Sequence, residues 1–178
     1  MIFRPLKEDE IEVRVATCND RGVSLLLYKN ARVDRSILDE TVGPVNWQCR
    51  FYECKGNLFC SVGIRSTALN HQIIPEEWVW KDDAGAPSNM EAEKGEASDA
   101  FKRACFKWGI GVELYTAPFI WIPADKCNIK KGRNGKPACY DKFHVERIKT
   151  EDGKIVGLAI RNGTKNVRSF IWQADSQQ

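Results

Sequence analysis

The stretch that decides the fold spans residues 93–115 and reads EKGEASDAFKRACFKWGIGVELY. Its apolar residues recur every three or four positions, a spacing that places them along one side of an α-helix. The members of this apolar stripe are Ala97, Ala100, Phe101, Ala104, Cys105 and Trp108. Acidic residues fill the first half of the stretch and basic residues the second, and Gly109 supplies a stop signal. We therefore predict one amphipathic helix that packs closely on a sheet and leaves Lys102, Arg103 and Lys107 outside the stripe.

Strands precede this helix, because apolar and polar residues alternate with a period of two in the first half of the chain. The order of elements predicts an α+β fold, with an antiparallel β-meander packed on the long helix as a β-β-β-α core, and a preceding hairpin and short helix. The predicted elements are a hairpin (11–17 and 23–28), a short helix capped by Asn30 or Asp34 that ends near Val42, a second hairpin (47–54 and 58–65) and a third strand of the meander (77–81).

Two stretches are predicted to be irregular, residues 82–89 before the long helix and residues 117–140 after it. The second stretch contains a basic, glycine-bearing loop, IKKGRNGK, at 129–136. A C-terminal β-hairpin (143–149 and 154–161) and an edge strand (167–172) complete the predicted elements. We therefore divide the chain into a β-β-β-α domain, residues 1–122, and a basic C-terminal extension, residues 123–178.

Charge is distributed unevenly along the chain. Residues 1–125 carry 15 Lys and Arg against 19 Asp and Glu, a net charge of −4, and residues 126–178 carry 12 against 5, a net charge of +7. A basic C-terminal third is typical of a protein that contacts a polyanion, although a solvated polar face gives the same pattern.

The cellular compartment is predicted from the lack of a membrane-spanning run and of a signal-peptide pattern, and from the number of cysteines. No run approaches the roughly 18 apolar residues of a membrane helix, and the first residues, MIFRPLKEDE, do not resemble a signal peptide. Seven cysteines, an odd number, fit a reducing compartment better than a disulfide framework. We expect a soluble, cytoplasmic protein without a membrane partner.

Catalytic motifs are weak in this sequence. It has neither a phosphate-cradling GxxxxGK[ST] nor a strand–GxGxxG–helix unit, and His71 and His144 lie in unrelated segments. Two clusters could form metal sites, a zinc set and a nuclease-like carboxylate set. Unpaired cysteines are more often small buried hydrophobic residues, and ordinary turn and helix-dipole roles explain the carboxylates better. The two sets are Cys127, Cys139, Asp141 and His144, and Asp82, Asp83, Glu91 and Glu93. We therefore predict no enzyme, no metal and no cofactor.

The residues agree better with binding of single-stranded nucleic acid than with catalysis. Lysine and arginine follow phosphates, and an aromatic face stacks bases at about 1–3 kcal/mol each. The candidate contacts are Arg14, Tyr28, Lys102, Arg103 and Lys107, with Lys130, Lys131, Arg133 and Lys136 of the basic loop as a second DNA contact. Taken alone, the helix cations also suit dipole complementation, Tyr28 suits sheet packing, and the tryptophans at 47, 78 and 80 suit a core.

The helix motif resembles the signature helix of the Rad-fifty-two-type single-strand annealing proteins, nearest to the bacterial and phage branch of DdrA-like and Sak-like recombinases. The order of the remaining elements is similar: a hairpin, a helix ending in VGPVNW, and a meander ending in EWVWKDDAG. The resemblance covers roughly residues 8–122. It implies a module that assembles into rings or filaments, with a basic groove that holds single-stranded DNA by its backbone and leaves the bases open for pairing.

The resemblance also implies particular contacts. The family's DNA-binding positions correspond to Lys102 and Arg103 in the DAFKRA segment, to Tyr28 by its place before the short helix, and to Arg14 across a longer turn. Where the eukaryotic pattern has a further basic residue, this chain has Phe106, and the neighbouring Lys107 points about 100° away around the helix.

The predicted function is ATP-independent binding and annealing of single-stranded DNA in recombination or repair, in bacterial cytoplasm, on the nucleoid or during phage infection. Annealing of complementary strands is downhill, so no nucleotide hydrolysis is required. The expected partners are single-stranded DNA, further copies of the chain, and a single-strand binding protein or an exonuclease. The alternatives are a metal-dependent nuclease and an RNA-binding module.

Overall fold

The computed structural model describes residues 2–66, 77–86 and 92–174. The chain forms two compact units, each built from separate stretches of sequence. The first unit comprises Met1–Arg4 and Asn30–Gly111, and the second comprises Pro5–Lys29 and Val112–Gln178. This division differs from the predicted boundary after residue 122, because β-strands from both ends of the chain belong to the second unit.

The described residues form a mixed α+β fold of mostly antiparallel strands and two helices. The helices are α1 (Ala31–Val42) and α2 (Ala92–Lys107). In chain order the strands are β1 (Glu12–Asn19), β2 (Gly22–Tyr28), β3 (Trp47–Cys54), β4 (Asn57–Arg65), β5 (Trp78–Ala84), β6 (Ile120–Pro123), β7 (Ile129–Lys131), β8 (Pro137–Cys139), β9 (Phe143–Glu151), β10 (Lys154–Asn162) and β11 (Val167–Gln173).

Most predicted elements are present near their predicted bounds. The first hairpin is β1–β2, the second is β3–β4, and the C-terminal hairpin is β9–β10, with β11 at one end of the sheet order. Of the two candidate caps of the short helix, Asn30 is the one used, since its side chain accepts a hydrogen bond from the Arg32 amide (2.9 Å).

Two predictions of irregular structure were wrong in part, and residues 87–89 of the first stretch lie outside the described residues. Asp82 and Asp83 do not lie in a loop but continue β5, where they pair with Ser61 and Cys60 of β4. The stretch 117–140 contains β6, which pairs with β2, and the small hairpin β7–β8. The predicted basic loop, residues 129–136, therefore consists of β7 and the connection that leads to β8.

The first unit is a three-stranded sheet, in the order β3-β4-β5, with α2 packed on one face. Three alternate residues of β4, Cys60, Val62 and Ile64, are completely buried on that face. The predicted apolar stripe of α2 meets them: Ala100, Phe101, Ala104 and Cys105 are at most 2% exposed. Trp108 is only half-buried, and its Nε1 donates a hydrogen bond to the Val62 carbonyl (3.0 Å).

The second unit is a six-stranded antiparallel sheet in the order β11-β10-β9-β1-β2-β6. The outermost strands, β11 and β6, contact each other, so this sheet is nearly closed. Its interior includes Val23, Ile122 and Ile160, each completely buried. The buried carboxylate of Glu113 accepts a hydrogen bond from the Leu6 amide (2.7 Å) and so satisfies that backbone group.

One carboxylate ties three strands of this sheet together. Arg161 on β10 donates to Glu146 Oε1 on β9 at 2.6 and 2.8 Å, and Arg168 on β11 donates to Glu146 Oε2. The hydrogen bonds from Arg168 and then Arg161 lower the pKa of Glu146 from 4.5 to about 2. Because this pKa is lower in the folded state, the ionised carboxylate stabilises the fold above about pH 4.5, and this contribution is lost as the pH falls towards 2.

We therefore expect Glu146→Gln to be less stable than the wild type at pH 7, with the difference shrinking between about pH 4.5 and pH 2. The measurement is the denaturant midpoint at a series of pH values. Glu151→Gln removes an exposed ion pair with Lys149 and is the matched control, expected to change stability little at any pH. A constant difference for Glu146→Gln down to pH 2 would show that the ion pairs do not act as described.

Candidate nucleic-acid interface

In the first unit, Asp99 organises the cations of α2. Its carboxylate lies 2.8 Å from Arg103 Nε and 3.9 Å from Lys102 Nζ, and it also accepts a hydrogen bond from the Ala86 amide (3.0 Å). These pairs form because residues three and four positions apart on a helix lie next to each other. The Lys102 side chain is 28% exposed and the Arg103 side chain 46%, so both remain accessible to a ligand.

The C-terminal end of α2 carries two further cations. Lys107 Nζ lies 3.6 Å from the Asp83 carboxylate. Lys81 on β5 donates to the Lys107 carbonyl (2.9 Å), where its charge complements the negative end of the helix dipole, and its Nζ lies 4.4 Å from the centre of the Trp108 ring. Arg103 and Lys107 are four residues apart, which makes them neighbours on the outer side of the helix.

These residues form what we call the α2 cationic edge: Lys81, Lys102, Arg103 and Lys107, with the carboxylates Asp83 and Asp99. Three of the cations were predicted from the sequence. Lys81 was missed, because its place beside α2 depends on the β4–β5 register: residue 81 pairs with Val62 and therefore faces α2. The formal charge of the edge is positive, since four cations face two carboxylates.

In the second unit, Arg14 and Tyr28 lie together. The centre of the Arg14 guanidinium is 5.6 Å from the centre of the Tyr28 ring, because the β1–β2 register places Glu12 opposite Tyr28 and Arg14 two residues further along. A hydrogen bond to Glu12, and then burial, raise the pKa of Tyr28 above its usual value. Arg14 is exposed, and Tyr28 is half-buried with its ring beneath the guanidinium.

The basic hairpin β7–β8 belongs to the same unit. All four of its predicted contact residues, Lys130, Lys131, Arg133 and Lys136, are exposed. A hydrogen bond from the Gly132 amide to the Lys136 carbonyl (2.8 Å) closes the turn. Beside it is an open cleft of about 380 Å³, whose lining includes Lys130, Lys131 and Asp20. The hairpin therefore presents a concentrated positive surface.

The nuclease-like carboxylates are not arranged as a cluster. Asp82 and Asp83 are consecutive strand residues, so their side chains point to opposite faces of the sheet. Asp82 accepts a hydrogen bond from the Tyr52 hydroxyl (2.8 Å), and Asp83 pairs with Lys107. Glu91 lies outside the described residues, and Glu93 belongs to the first turn of α2. Two carboxylates on opposite faces cannot share one metal ion.

Of the residues considered as zinc ligands, Asp141 is engaged in hydrogen bonds with other protein groups. Asp141 accepts from the Asn128 amide (2.8 Å), from Asn128 Nδ2 (2.9 Å) and from Asn162 Nδ2 (2.7 Å), so both of its oxygens have protein partners. Across the described residues, no group of three or more His, Cys, Asp or Glu side chains is placed to hold a metal ion. His71 lies outside that part of the chain.

Neither helix that the structure describes has the length and apolar character needed to cross a lipid bilayer. Comparison with protein-family models, with curated proteins and with solved structures gives no match.

Proposed function

We propose that this protein binds single-stranded DNA and anneals complementary strands without ATP, acting as an oligomeric ring or filament in recombination or repair. The observation that carries the proposal is the α2 cationic edge. It places Lys102, Arg103 and Lys107 at the exposed side of a helix whose other side buries Ala100, Phe101, Ala104 and Cys105 against the sheet. A rigid support of this kind holds the cations at a fixed spacing along a DNA backbone.

The carboxylates of the edge do not prevent phosphate binding. Ion pairs at the protein surface contribute about 0–1 kcal/mol, so a phosphate can replace the carboxylate as the partner of a lysine or arginine. The Lys102–Asp99 and Lys107–Asp83 separations of 3.9 and 3.6 Å are those of loose pairs. Asp83 and Asp99 therefore orient the cations in the free protein, and phosphates replace these carboxylates when DNA binds.

Annealing follows from repetition of this edge. Neutralised phosphates let two strands approach, and bases that are not held by the protein remain free to pair. In a ring or filament the same few contacts recur in every copy, so modest binding by each subunit adds up to tight binding. β3 and β5 are the outer strands of the three-stranded sheet, and such edges are suited to contacts between copies. We place this activity in the bacterial cytoplasm.

The role of Asp99 gives a direct test. In Asp99→Asn the amide oxygen can still accept from the Ala86 amide, but the charge that competes with phosphates is removed. We expect the affinity for a single-stranded oligonucleotide to increase about three- to tenfold, in line with the loss of two weak ion pairs. The measurement is fluorescence anisotropy at several salt concentrations.

Asp39→Asn is the matched control, because it makes the same change of charge on α1, where the carboxylate accepts from Trp47 Nε1 (2.6 Å). If both variants gain affinity equally, the effect is one of net charge and the α2 cationic edge is not the DNA site. If neither gains, Asp99 does not compete with DNA.

The basic hairpin is proposed as a second DNA contact. Replacing Lys130, Lys131, Arg133 and Lys136 by serine should lower the annealing rate about tenfold at low salt, because exposed cations accelerate the encounter with a polyanion. The matched control replaces four other exposed cations of the same unit, Lys142, Arg147, Lys149 and Lys154. An unchanged annealing rate in the hairpin variant, or an equal loss in the control, would show that the hairpin is not a specific DNA contact.

The RNA-binding alternative is tested with the same edge. RNA and DNA of one sequence differ at the 2′-hydroxyl, which only a protein with contacts to that group can distinguish. We expect similar affinity for both, since the α2 cationic edge offers charges and no dedicated 2′-hydroxyl partner. A clear preference for RNA would favour the alternative.

A further inference from the structure

The three-stranded sheet of the first unit has two faces, and only one of them packs on α2. Because strand residues alternate, Cys60, Val62 and Ile64 of β4 point towards α2, and the residues between them point the other way. The second face carries four aromatic residues and two arginines. We call it the aromatic face; its residues are Arg50, Tyr52, Phe59, Arg65, Trp78 and Trp80.

These side chains are stacked on each other in an ordered way. The Tyr52 and Phe59 rings are nearly parallel, with centres 5.4 Å apart and an angle of 17° between their planes. The Arg50 guanidinium lies 4.2 Å above the centre of the Trp80 ring, and Arg65 lies 5.3 Å from Trp78. Planar groups that are already stacked are preorganised to accept another planar group.

A glycine fixes the position of Trp80. Gly63 lies opposite Trp80 in the β4–β5 register, and a Cβ at position 63 would lie 2.8 Å from the Trp80 ring. The ring therefore lies directly on the β4 backbone, in a space that only glycine leaves open. This arrangement makes Trp80 a rigid support for Arg50 rather than a mobile surface residue.

The aromatic face is accessible. Tyr52 is 41% exposed, Arg50 is exposed, and Phe59, Arg65, Trp78 and Trp80 are half-buried. One carboxylate, Asp82, lies on the same face and accepts a hydrogen bond from the Tyr52 hydroxyl. Two guanidinium groups against one carboxylate leave the face with a positive formal charge.

We propose that the aromatic face is a second single-stranded DNA site, at which bases stack on Tyr52 and on the Arg50–Trp80 pair. Stacking is sequence-tolerant, because every base has a flat face, and arginine planes stack bases as aromatic rings do. It leaves the pairing edges of the bases open, as annealing requires. This inference rests on the proposed function and adds to it a site on the opposite side of the sheet from the α2 cationic edge.

The test compares an oligonucleotide of ordinary bases with one of the same length made of abasic sites, which keeps the phosphates and lacks the bases. We expect the wild type to bind the ordinary strand about tenfold more tightly, since each stacked base contributes about one order of magnitude or more. Arg50→Ala/Tyr52→Ala should lose this preference while still binding both strands. Tyr52→Phe, which keeps the ring, should retain it.

Phe51→Ala is the matched control. Phe51 lies between the two tested residues in β3 and is 46% exposed, but it points to the other face of the sheet. The preference for the ordinary strand should remain in this variant. If it falls as far as in Arg50→Ala/Tyr52→Ala, the loss reflects damage to β3 and the proposed site is rejected.

The remaining outcomes separate this inference from the proposed function. Equal wild-type affinity for ordinary and abasic strands overturns the base-stacking site and leaves phosphate binding by α2 intact. No wild-type binding to either strand contradicts the proposed function itself. If Arg50→Ala/Tyr52→Ala keeps the preference but forms a smaller assembly by light scattering, the aromatic face joins copies of the chain and the DNA site is rejected.

Discussion

Lys102→Ala/Arg103→Ala is expected to bind a single-stranded oligonucleotide about 100-fold more weakly than the wild type, because two charged hydrogen bonds to phosphates are lost. Both side chains lie beside Asp99 on the exposed side of α2. The dependence on salt gives a second readout. The slope of log affinity against log salt should become shallower by about 1.4, since each phosphate contact on a single strand contributes about 0.7.

The control for this variant removes two cations elsewhere in the first unit. Arg32→Ala/Lys55→Asn changes the net charge equally, and asparagine tolerates the positive φ of residue 55 (52°). This control should lose little affinity and keep the wild-type salt slope. Wild-type affinity in Lys102→Ala/Arg103→Ala, with an unchanged circular dichroism spectrum, would show that α2 does not hold DNA.

Gly85→Ala is expected to destabilise the protein by at least about 2 kcal/mol, through overpacking between β5 and α2. A Cβ at position 85 would lie 2.2 Å from the Glu96 carbonyl oxygen and 3.0 Å from the Ala100 amide nitrogen. Both are backbone atoms in the interior of α2, so the helix itself would have to move. For a chain of this size the midpoint of thermal unfolding should fall by roughly 4–8 °C.

Gly157→Ala provides a comparison in the second unit. There the nearest atom to an added Cβ is the Lys149 Cβ, at 3.3 Å, and a shift of a few tenths of an ångström relieves that contact. We expect a clearly smaller loss of stability, measured by the same thermal scan. A loss in Gly85→Ala no greater than that in Gly157→Ala would mean that the close approach of β5 to α2 is not maintained in solution.

The local elements of the fold could be predicted from the sequence because their signals are local. The alternation in β3 and β4 and the three-and-four spacing in α2 depend only on neighbouring residues, and all three elements lie near the predicted positions. The pairing of β6 with β2 could not be predicted in this way. Trp121 and Ser24 are partners across nearly a hundred residues, and no local pattern encodes that pairing.

The remaining wrong predictions concern residue types that have two common structural roles. Asp82 and Asp83 were interpreted as turn formers, but the hydrogen bond that Asp82 accepts from Tyr52 and the ion pair of Asp83 with Lys107 are compatible with a strand. Trp78 and Trp80 were assigned to the core because tryptophan is usually buried. The register places them on the face away from α2, where they are half-buried. The aromatic face therefore could not be predicted from the sequence, because it depends on the register of β4 and β5.

The candidate site was predicted in part for a similar reason. The helix spacing identified Lys102, Arg103 and Lys107 as a group that does not belong to the apolar stripe, and the structure gives each of them a carboxylate partner. The sequence could not show that Lys81 would reach the end of α2, since that contact depends on the packing of the helix on β5.

The most direct test of the central claim is the rate at which two complementary fluorescent oligonucleotides anneal, without nucleotide and with metal ions chelated. We predict that the protein accelerates annealing well above the spontaneous rate, and that Lys102→Ala/Arg103→Ala largely abolishes this acceleration. A folded wild-type protein that leaves the spontaneous rate unchanged would contradict the account.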